Sequence, residues 1–193
     1  MTDFDTVPTT AIEDLTGDYE FDVAHTRIGF VARHAMVTSV RGAFTEFDGS
    51  AHADVAEPAK SGARLTIKVA SIDTGNEQRD AHLRSADFFD VDKYPEITFV
   101  STDVEQVDPE QYRLTGELTV KDITKPVTVE LTYNGSAKDP FGNLRAGFEG
   151  STTVNRKDWG LTWNATLETG GFLVSDKIKL EFDVSAVKLT PAA

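Results

Sequence analysis

Strict alternation of apolar and polar residues runs through most of this chain. In segment 64–69 (RLTIKV) every second residue is apolar, and segment 178–186 (IKLEFDVSA) repeats the pattern. Successive side chains of a β-strand point to opposite faces, so this period predicts strands with one buried face and one solvated face. About eight to ten segments meet the test.

Turn residues separate these segments, and no long helical pattern comes between them. The turn signals are Asp108-Pro109, Asn134-Gly135, Asp139-Pro140 with Gly142-Asn143, and Gly170-Gly171. Pro126 is expected to open a strand, because proline cannot donate to a ladder. Short strands joined by hairpins favour an all-β, mostly antiparallel sheet that closes into a barrel, and we expect eight strands.

Two segments depart from the period of two. Thr10 and Glu13 form a capping box, and Gly17 can end the helix that follows, so residues 1–17 are predicted to be a tail with a short N-terminal helix. Thr74 and Glu77 form a second capping box, which predicts a short helix around 76–85 that caps one end of the barrel. Residues 18–190 are then expected to form one domain.

Charge and composition exclude several classes of function. Lys and Arg number 19 against 32 Asp and Glu, so the formal net charge is −13, which repels nucleic acid. The chain contains no cysteine, which excludes a disulfide framework and a thiolate site. The N-terminus lacks the features of a secretory signal, and no apolar run is long enough to span a bilayer. We therefore expect a cytoplasmic protein without a membrane span.

Small residues within the strand patterns allow two interpretations. Gly42, Gly116, Gly147, Gly150 and Ala32 lie in alternating segments, and glycine in a strand marks a bend, a bulge or a place where something approaches closely. A packed barrel with bends accounts for them, and so does a lumen with room for a ligand. Both interpretations remain open at this stage.

Nine sequence blocks together resemble the YceI-like, polyisoprenoid-binding family. In chain order they are YEFDVAHTRIGFVARH (19–34), GAFTEFDG (42–49), SIDTG (71–75), RDAHLR (79–84), DFFD (87–90), KYPEITF (93–99), GELTVKDITKPV (116–127), NRKDWG (155–160) and VSD (174–176). Trp159 stands where phenylalanine or tyrosine is commoner in the family, and Ile123 stands where valine is usual. The resemblance extends over residues 19–188, nearly the whole chain.

The resemblance implies an extended, lipocalin-like antiparallel barrel with a long hydrophobic pore. Family members hold isoprenoid chains, isoprenoid quinones or other amphiphilic lipids such as fatty-acyl compounds, and they often form homodimers. Many are exported to the periplasm, which does not carry over to a chain that lacks the signal. The family is defined by binding, so it offers no catalytic residues, and we expect no cofactor other than the bound lipid.

Candidate ligand-binding residues are apolar side chains expected on the inner face, with one histidine at a polar end of the pore. They are Phe30, His34, Phe44, Leu83, Phe88, Phe99, Leu118, Trp159 and Phe172. His34 continues the alternating run of Phe30, so it either meets a ligand head group or is a satisfied buried histidine. Adjacent residues point apart in extended chain, so at most one of Phe88 and Phe89 is expected to face the lumen.

The remaining polar candidates have structural explanations beside functional ones. Arg79, Asp80 and His82 gate the pore or bind a polar head group in the functional interpretation, and they cap the helix or pair along it in the structural one. Structural pairing is favoured for the first two. His52 and Asp54 share a strand face, but two ligands are too few for a metal site, so none is expected.

Three hypotheses for function follow. In the leading one, the barrel binds, sequesters or transports a long apolar ligand without catalysis. In the second, the barrel is filled, and the protein acts through its surface as a stress-related structural or interaction protein. The third is an enzyme that acts on a bound amphiphile near His34 or Asp80.

Overall fold

Eleven strand segments and one α-helix make up the computed structural model over residues 15–191, the part of the chain that the structure describes. The strands are β1 (Gly17–Phe21), β2 (Arg27–His34), β3 (Thr38–Phe44), β4 (Phe47–Ala53), β5 (Gly62–Lys68), β6 (Ile72–Asp73), β7 (Glu96–Asp108), β8 (Gln111–Val120), β9 (Ile123–Lys138), β10 (Leu144–Asn155) and β11 (Lys177–Lys188), and the helix is α1 (Glu77–Arg84). Among these residues no helix is both long enough and apolar enough to cross a bilayer.

All strand pairings are antiparallel, and the sheet closes on itself. The order β1-β4-β5-β7-β8-β9-β10-β11 returns to β1 through the β1–β11 pair. β2 follows β1 along the same edge of β11 after a short 3-10 turn at Val23–His25. β3 pairs with β2, and β6 pairs with β3. In the chain β3 leads into β4 and β5 leads into β6, so each of these pairs, like β1 and β2, forms one strand with a bend in it. The predicted eight-stranded antiparallel barrel is confirmed, and three of its strands are bent.

The alternation in sequence determines which face of each strand lies inside. On β11 the apolar residues of segment 178–186 face the barrel interior. Lys179 and Asp183 between them are exposed. The same arrangement repeats around the barrel, because every strand has one solvated face and one face on the interior.

The two ends of the barrel are built differently. At one end lie α1, the β2–β3 and β8–β9 turns and the segment 156–176, and we call it the helix-capped end. At the opposite end lie the β4–β5, β7–β8 and β9–β10 connections together with Leu15. The capping helix predicted around 76–85 is thus confirmed as a helix beside one end.

The start of α1 differs from the predicted capping box. Asn76 is the N-cap, and its side-chain oxygen accepts a hydrogen bond from the backbone N of Arg79 at 2.9 Å. Thr74, the predicted cap, instead donates from its backbone N and from its hydroxyl to the buried carboxylate of Asp80, at 3.0 and 2.5 Å. The helix is capped two residues later than predicted because Thr74 is engaged in fixing the entry to it.

The turn predicted at Asn134-Gly135 and the strand start predicted at Pro126 are both wrong. Asn134 and Gly135 lie within β9, where the register against β10 shifts, so they form a bulge and not a hairpin turn. Pro126 lies inside β9, but only where β9 pairs with β8 alone, so the missing N–H is not needed on the other edge. Most of the tail at residues 1–17, where a short helix is predicted, lies outside the described part, and Gly17, the residue expected to end that helix, is the first residue of β1.

Candidate ligand-binding cavity

A cavity of about 920 Å³ runs through the barrel interior. Its wall extends from Leu83 and Trp159 at the helix-capped end to Gln106 and Pro109 at the opposite end, and most of it is aliphatic or aromatic. Small-molecule pockets measure roughly 300–1,000 Å³, so the cavity is near the upper end of that range. The barrel is therefore not filled by its own side chains.

Within residues 15–191 the cavity opens at the end opposite α1. At the helix-capped end its lining residues Phe88, Trp159 and Leu161 are buried, with 6%, 4% and 9% of their surface exposed. At the other end Gln106 and Pro109 line the cavity and are exposed to solvent. We call this opening, between the β4–β5 connection and the β7–β8 turn, the mouth.

Glycines on the inner wall are covered by phenylalanine rings from neighbouring strands. A Cβ atom added at Gly42 would collide with the Phe30 ring, and one added at Gly116 would collide with the Phe99 ring. Each ring therefore lies against the wall, where a side chain larger than hydrogen has no room. At these two positions the glycine marks neither a bend nor empty space in the lumen, because it makes room for a ring of the wall itself.

Seven of the nine candidate residues line the cavity. They are Phe30, Phe44, Leu83, Phe88, Phe99, Leu118 and Trp159. Phe89 lines it as well as Phe88, so the expectation that only one would face the lumen is wrong. The two residues lie in a tight turn in which Phe88 N donates to the oxygen of Ser85, and the period of two does not apply to a turn. Ligand contact by these residues stays a prediction.

The inner-face placement expected for His34 and Phe172 is wrong. His34 is exposed at the last position of β2, where the strand passes into an exposed turn with Met36 at φ +65°. Phe172 is 55% exposed in the segment 156–176. The alternation of β2 continues to its end, but there His34 is not among the residues that border the cavity.

Three tyrosines that the sequence reasoning left unassigned border the mouth half of the cavity. The Tyr19 hydroxyl donates to the backbone oxygen of Leu15 at 2.6 Å, and the Tyr112 hydroxyl accepts from Nε2 of Gln106 at 3.2 Å. Burial, and to a lesser extent Tyr133, raises the pKa of Tyr19 to about 12 and raises that of Tyr112. The sequence did indicate that Tyr19 and Tyr133 face inward, since both continue runs of alternating apolar residues. Such a run does not show how far along the barrel axis a residue lies.

A buried arginine holds the segment that closes the helix-capped end. Arg156 is 4% exposed and borders the cavity. Its guanidinium donates to the backbone oxygens of Leu161, Trp163 and Ser175 at 2.6, 2.9 and 2.9 Å, and Asp176 lies 3.7 Å away. Burial lowers its pKa, and Asp176 opposes that effect. These bonds join the two ends of the segment, so the arginine stabilises the closed end.

The polar candidates on α1 have structural partners. Arg79 donates from Nε and Nη2 to the hydroxyl and backbone oxygens of Thr74, both at 2.7 Å. The His82 imidazole lies 2.9 Å from an Asp87 carboxylate oxygen, and Asp80 is bonded to Thr74. None of the three borders the cavity. Within residues 15–191 no group of three or more His, Asp or Glu is placed to hold a metal ion.

Comparison with known proteins agrees with the fold and with the sequence blocks. A model of the YceI-like domain matches residues 19–186. A UPF0312 protein of Photorhabdus laumondii is 43% identical over 147 residues, which are 75% of this chain and 76% of that protein.

Two solved structures share the barrel. BcnA of Burkholderia cenocepacia superposes with a TM-score of 0.76 at 27% identity, over 86% of this chain and 98% of that chain. A polyisoprenoid binding domain from Saccharophagus degradans superposes with a TM-score of 0.66 over 89% of this chain and 98% of that chain, and at 13% identity this likeness concerns the fold. The family model, the relative and the barrel agree: this chain belongs to the YceI-like family.

Proposed function

We propose that this protein binds a long apolar or amphiphilic molecule within the barrel and holds it without chemical conversion. The observation that carries the proposal is the 920 Å³ cavity, which is open at the mouth and has an apolar wall. Burial of apolar surface contributes about 0.8 kcal/mol per CH₂ group. For a long chain the summed free energy of burial therefore exceeds the entropic cost of immobilising the ligand.

The shape of the cavity favours a long chain over a compact ligand. β7 has 13 residues, which at about 3.3 Å per residue extend over about 43 Å. With a strand tilt of roughly 35–45° the wall is about 30–35 Å high. A polyisoprenoid, the tail of an isoprenoid quinone or a fatty-acyl chain fits such a lumen, and the Saccharophagus degradans domain of the same fold is described as polyisoprenoid binding.

Binding without catalysis is favoured by where the polar groups lie. The enzyme hypothesis needed His34 or Asp80 beside the ligand, and neither borders the cavity. Asp80 accepts two hydrogen bonds from Thr74, which leaves it a structural role. The buried Arg156 is engaged by backbone oxygens.

Native mass spectrometry of the purified protein, followed by organic extraction, tests the proposal. We expect a stoichiometric long-chain species, or uptake of one from a panel of isoprenoids and fatty-acyl compounds. Phe99→Asp, which places a charge in the lumen, should lose the ligand, whereas Val100→Asp on the outer face of the same strand should keep it. An apo mass with no uptake would overturn the proposal, as would undiminished lipid in folded Phe99→Asp.

Three further expectations stay predictions. The homodimer rests on the family resemblance, and a monomer by light scattering at micromolar concentration would contradict it. Cytoplasmic location and independence from any cofactor besides the bound lipid follow from the sequence reasoning, and fractionation of the native cell and reconstitution with lipid alone test them.

A further inference from the structure

The proposed binding function leaves open which polar group the ligand carries and which way it lies. Both the polar group and the orientation of the ligand can be inferred from the three tyrosines at the mouth and the charged residues around them. Tyr19 and Tyr133 belong to one packed cluster, and Tyr112 lies opposite Leu131, two residues from Tyr133 on the neighbouring strand. All three border the cavity, and Tyr133 contributes, after burial, to the raised pKa of each of the other two.

The three hydroxyl groups differ in how much of their hydrogen-bonding capacity residues 15–191 use, and Tyr112 keeps its own proton to donate. Tyr19 donates to Leu15, and the hydroxyl of Tyr112 accepts from Gln106. For the hydroxyl of Tyr133, residues 15–191 provide no hydrogen-bond partner, while its ring packs against Phe148 at 5.4 Å between centroids. A phenol held in a wall without a partner can donate to, or accept from, a molecule in the lumen.

The charged groups along the cavity disfavour an anionic head group. The bordering acids lie at the mouth: Asp54 is in the β4–β5 connection, and Asp108 is the last residue of β7 and is exposed. The bordering basic residues are His52, Arg64 and Arg156. None of these three residues directs an unpaired positive charge into the lumen.

The imidazole of His52 lies 2.7 Å from the Asp18 carboxylate on the outer side. Arg64 is exposed and falls between Ala63 and Leu65, which face inward, so it points outward. Arg156 lies at the closed end and donates to four backbone oxygens. A phosphate in the mouth would meet these carboxylates, and none of the described basic residues that border the cavity offers a free charge to offset them.

We propose that the ligand carries a neutral, hydrogen-bonding head group, an alcohol or a quinone carbonyl, which binds at the mouth beside Tyr133 while its apolar tail extends toward α1. The closed end of the cavity, with Phe88, Trp159 and Leu161, then contacts hydrocarbon alone. This inference deepens the proposed function and rests on it.

Geranylgeraniol and geranylgeranyl diphosphate provide the test, because they share one isoprenoid chain and differ only in the head group. Binding is measured by quenching of tryptophan fluorescence, since Trp159 borders the lumen. At low ionic strength we expect the alcohol to bind at least about tenfold more tightly, because like charges at the mouth repel the diphosphate. Added salt should narrow the difference.

Tyr133→Phe removes the hydroxyl and keeps the ring. We expect it to weaken geranylgeraniol binding about 3- to 10-fold, the effect of one hydrogen bond, and to leave thermal unfolding unchanged. Tyr94→Phe is the matched control, because Tyr94 does not border the cavity, and it should bind as the wild type does.

The outcomes separate this inference from the proposed function. Equal or tighter binding of the diphosphate, or wild-type affinity for the alcohol in Tyr133→Phe, would overturn the head-group assignment while lipid binding stands. If the protein binds neither probe and no other long-chain compound, the proposed function fails and the head-group assignment fails with it.

Discussion

The ring of Phe99 on β7 covers Gly116 on β8, so closely that a single methyl group at the glycine would overlap the ring. The Phe99 ring and Gly116 therefore pack directly against each other in the barrel wall. The arrangement keeps a large aromatic side chain at the side of the lumen and leaves the axis open.

Gly116→Ala is expected to lower the free energy of unfolding by about 1–3 kcal/mol, the cost of overpacking. The added Cβ would also come within 2.6 Å of the backbone oxygen of Val100, which cannot rotate away. Gly147→Ala is the control, since its nearest neighbour would be 3.8 Å away. Urea unfolding of both variants checks the prediction, and equal stabilities would contradict it.

Acid should weaken a surface network at the mouth end. Burial opposes ionisation of Asp139, but hydrogen bonds from Asn143, Arg145 and the backbone outweigh it and lower the pKa from 3.8 to about 2. A pKa lowered on folding stabilises the native state above the unfolded value, and the contribution is lost as pH falls from about 4 to about 2. Stability of the wild type should fall over that window.

Asp139→Asn should make this dependence shallower, because the side chain no longer titrates. Urea midpoints from pH 2 to pH 6 would show it. The same steepness in wild type and variant would mean that other carboxylates account for the acid sensitivity.

Ligand should enter at the mouth and not beside α1. The chain has no cysteine, so a single introduced thiol can be labelled with a bulky maleimide. A label at Val107→Cys, in the rim of the mouth, should slow uptake of geranylgeraniol several-fold, as measured by stopped-flow fluorescence. A label at Val37→Cys, exposed at the helix-capped end, should not. Slower uptake in labelled Val37→Cys alone would contradict the prediction, because the ligand would then enter at the helix-capped end.

The barrel was predictable from sequence because each buried position alternates with a solvated one. Segment 178–186 therefore indicated both a strand and its inner face, and the structure agrees with both. The same rule failed for His34, because a period gives the direction of a side chain and not whether the strand still borders the lumen. It failed for Phe88 and Phe89 because they lie in a turn.

The proximity of the tyrosines at the mouth could not be predicted from the local sequence pattern. Tyr19 and Tyr133 are more than a hundred residues apart in the sequence, and the packing of β1, β9, β10 and β11 brings them into one cluster. That proximity depends on barrel closure and on strand register, which includes the bulge at Asn134. Register follows from long-range pairing, so neither residue stood out from its own neighbours.

Blocking the lumen tests the central claim most directly. Ala63 on β5 faces the cavity, and Ala63→Trp should fill part of it, whereas Thr66→Trp adds the same side chain on a residue of that strand that does not border the cavity. Ala51→Phe, on the neighbouring strand, is a second filling variant if Ala63→Trp does not fold. Binding of geranylgeraniol to the folded variants is then compared by fluorescence titration. We predict at least a tenfold loss of affinity, about 1.4 kcal/mol, for the lumen variants and none for Thr66→Trp. Wild-type affinity in folded lumen variants would contradict the account, because the ligand would then bind elsewhere.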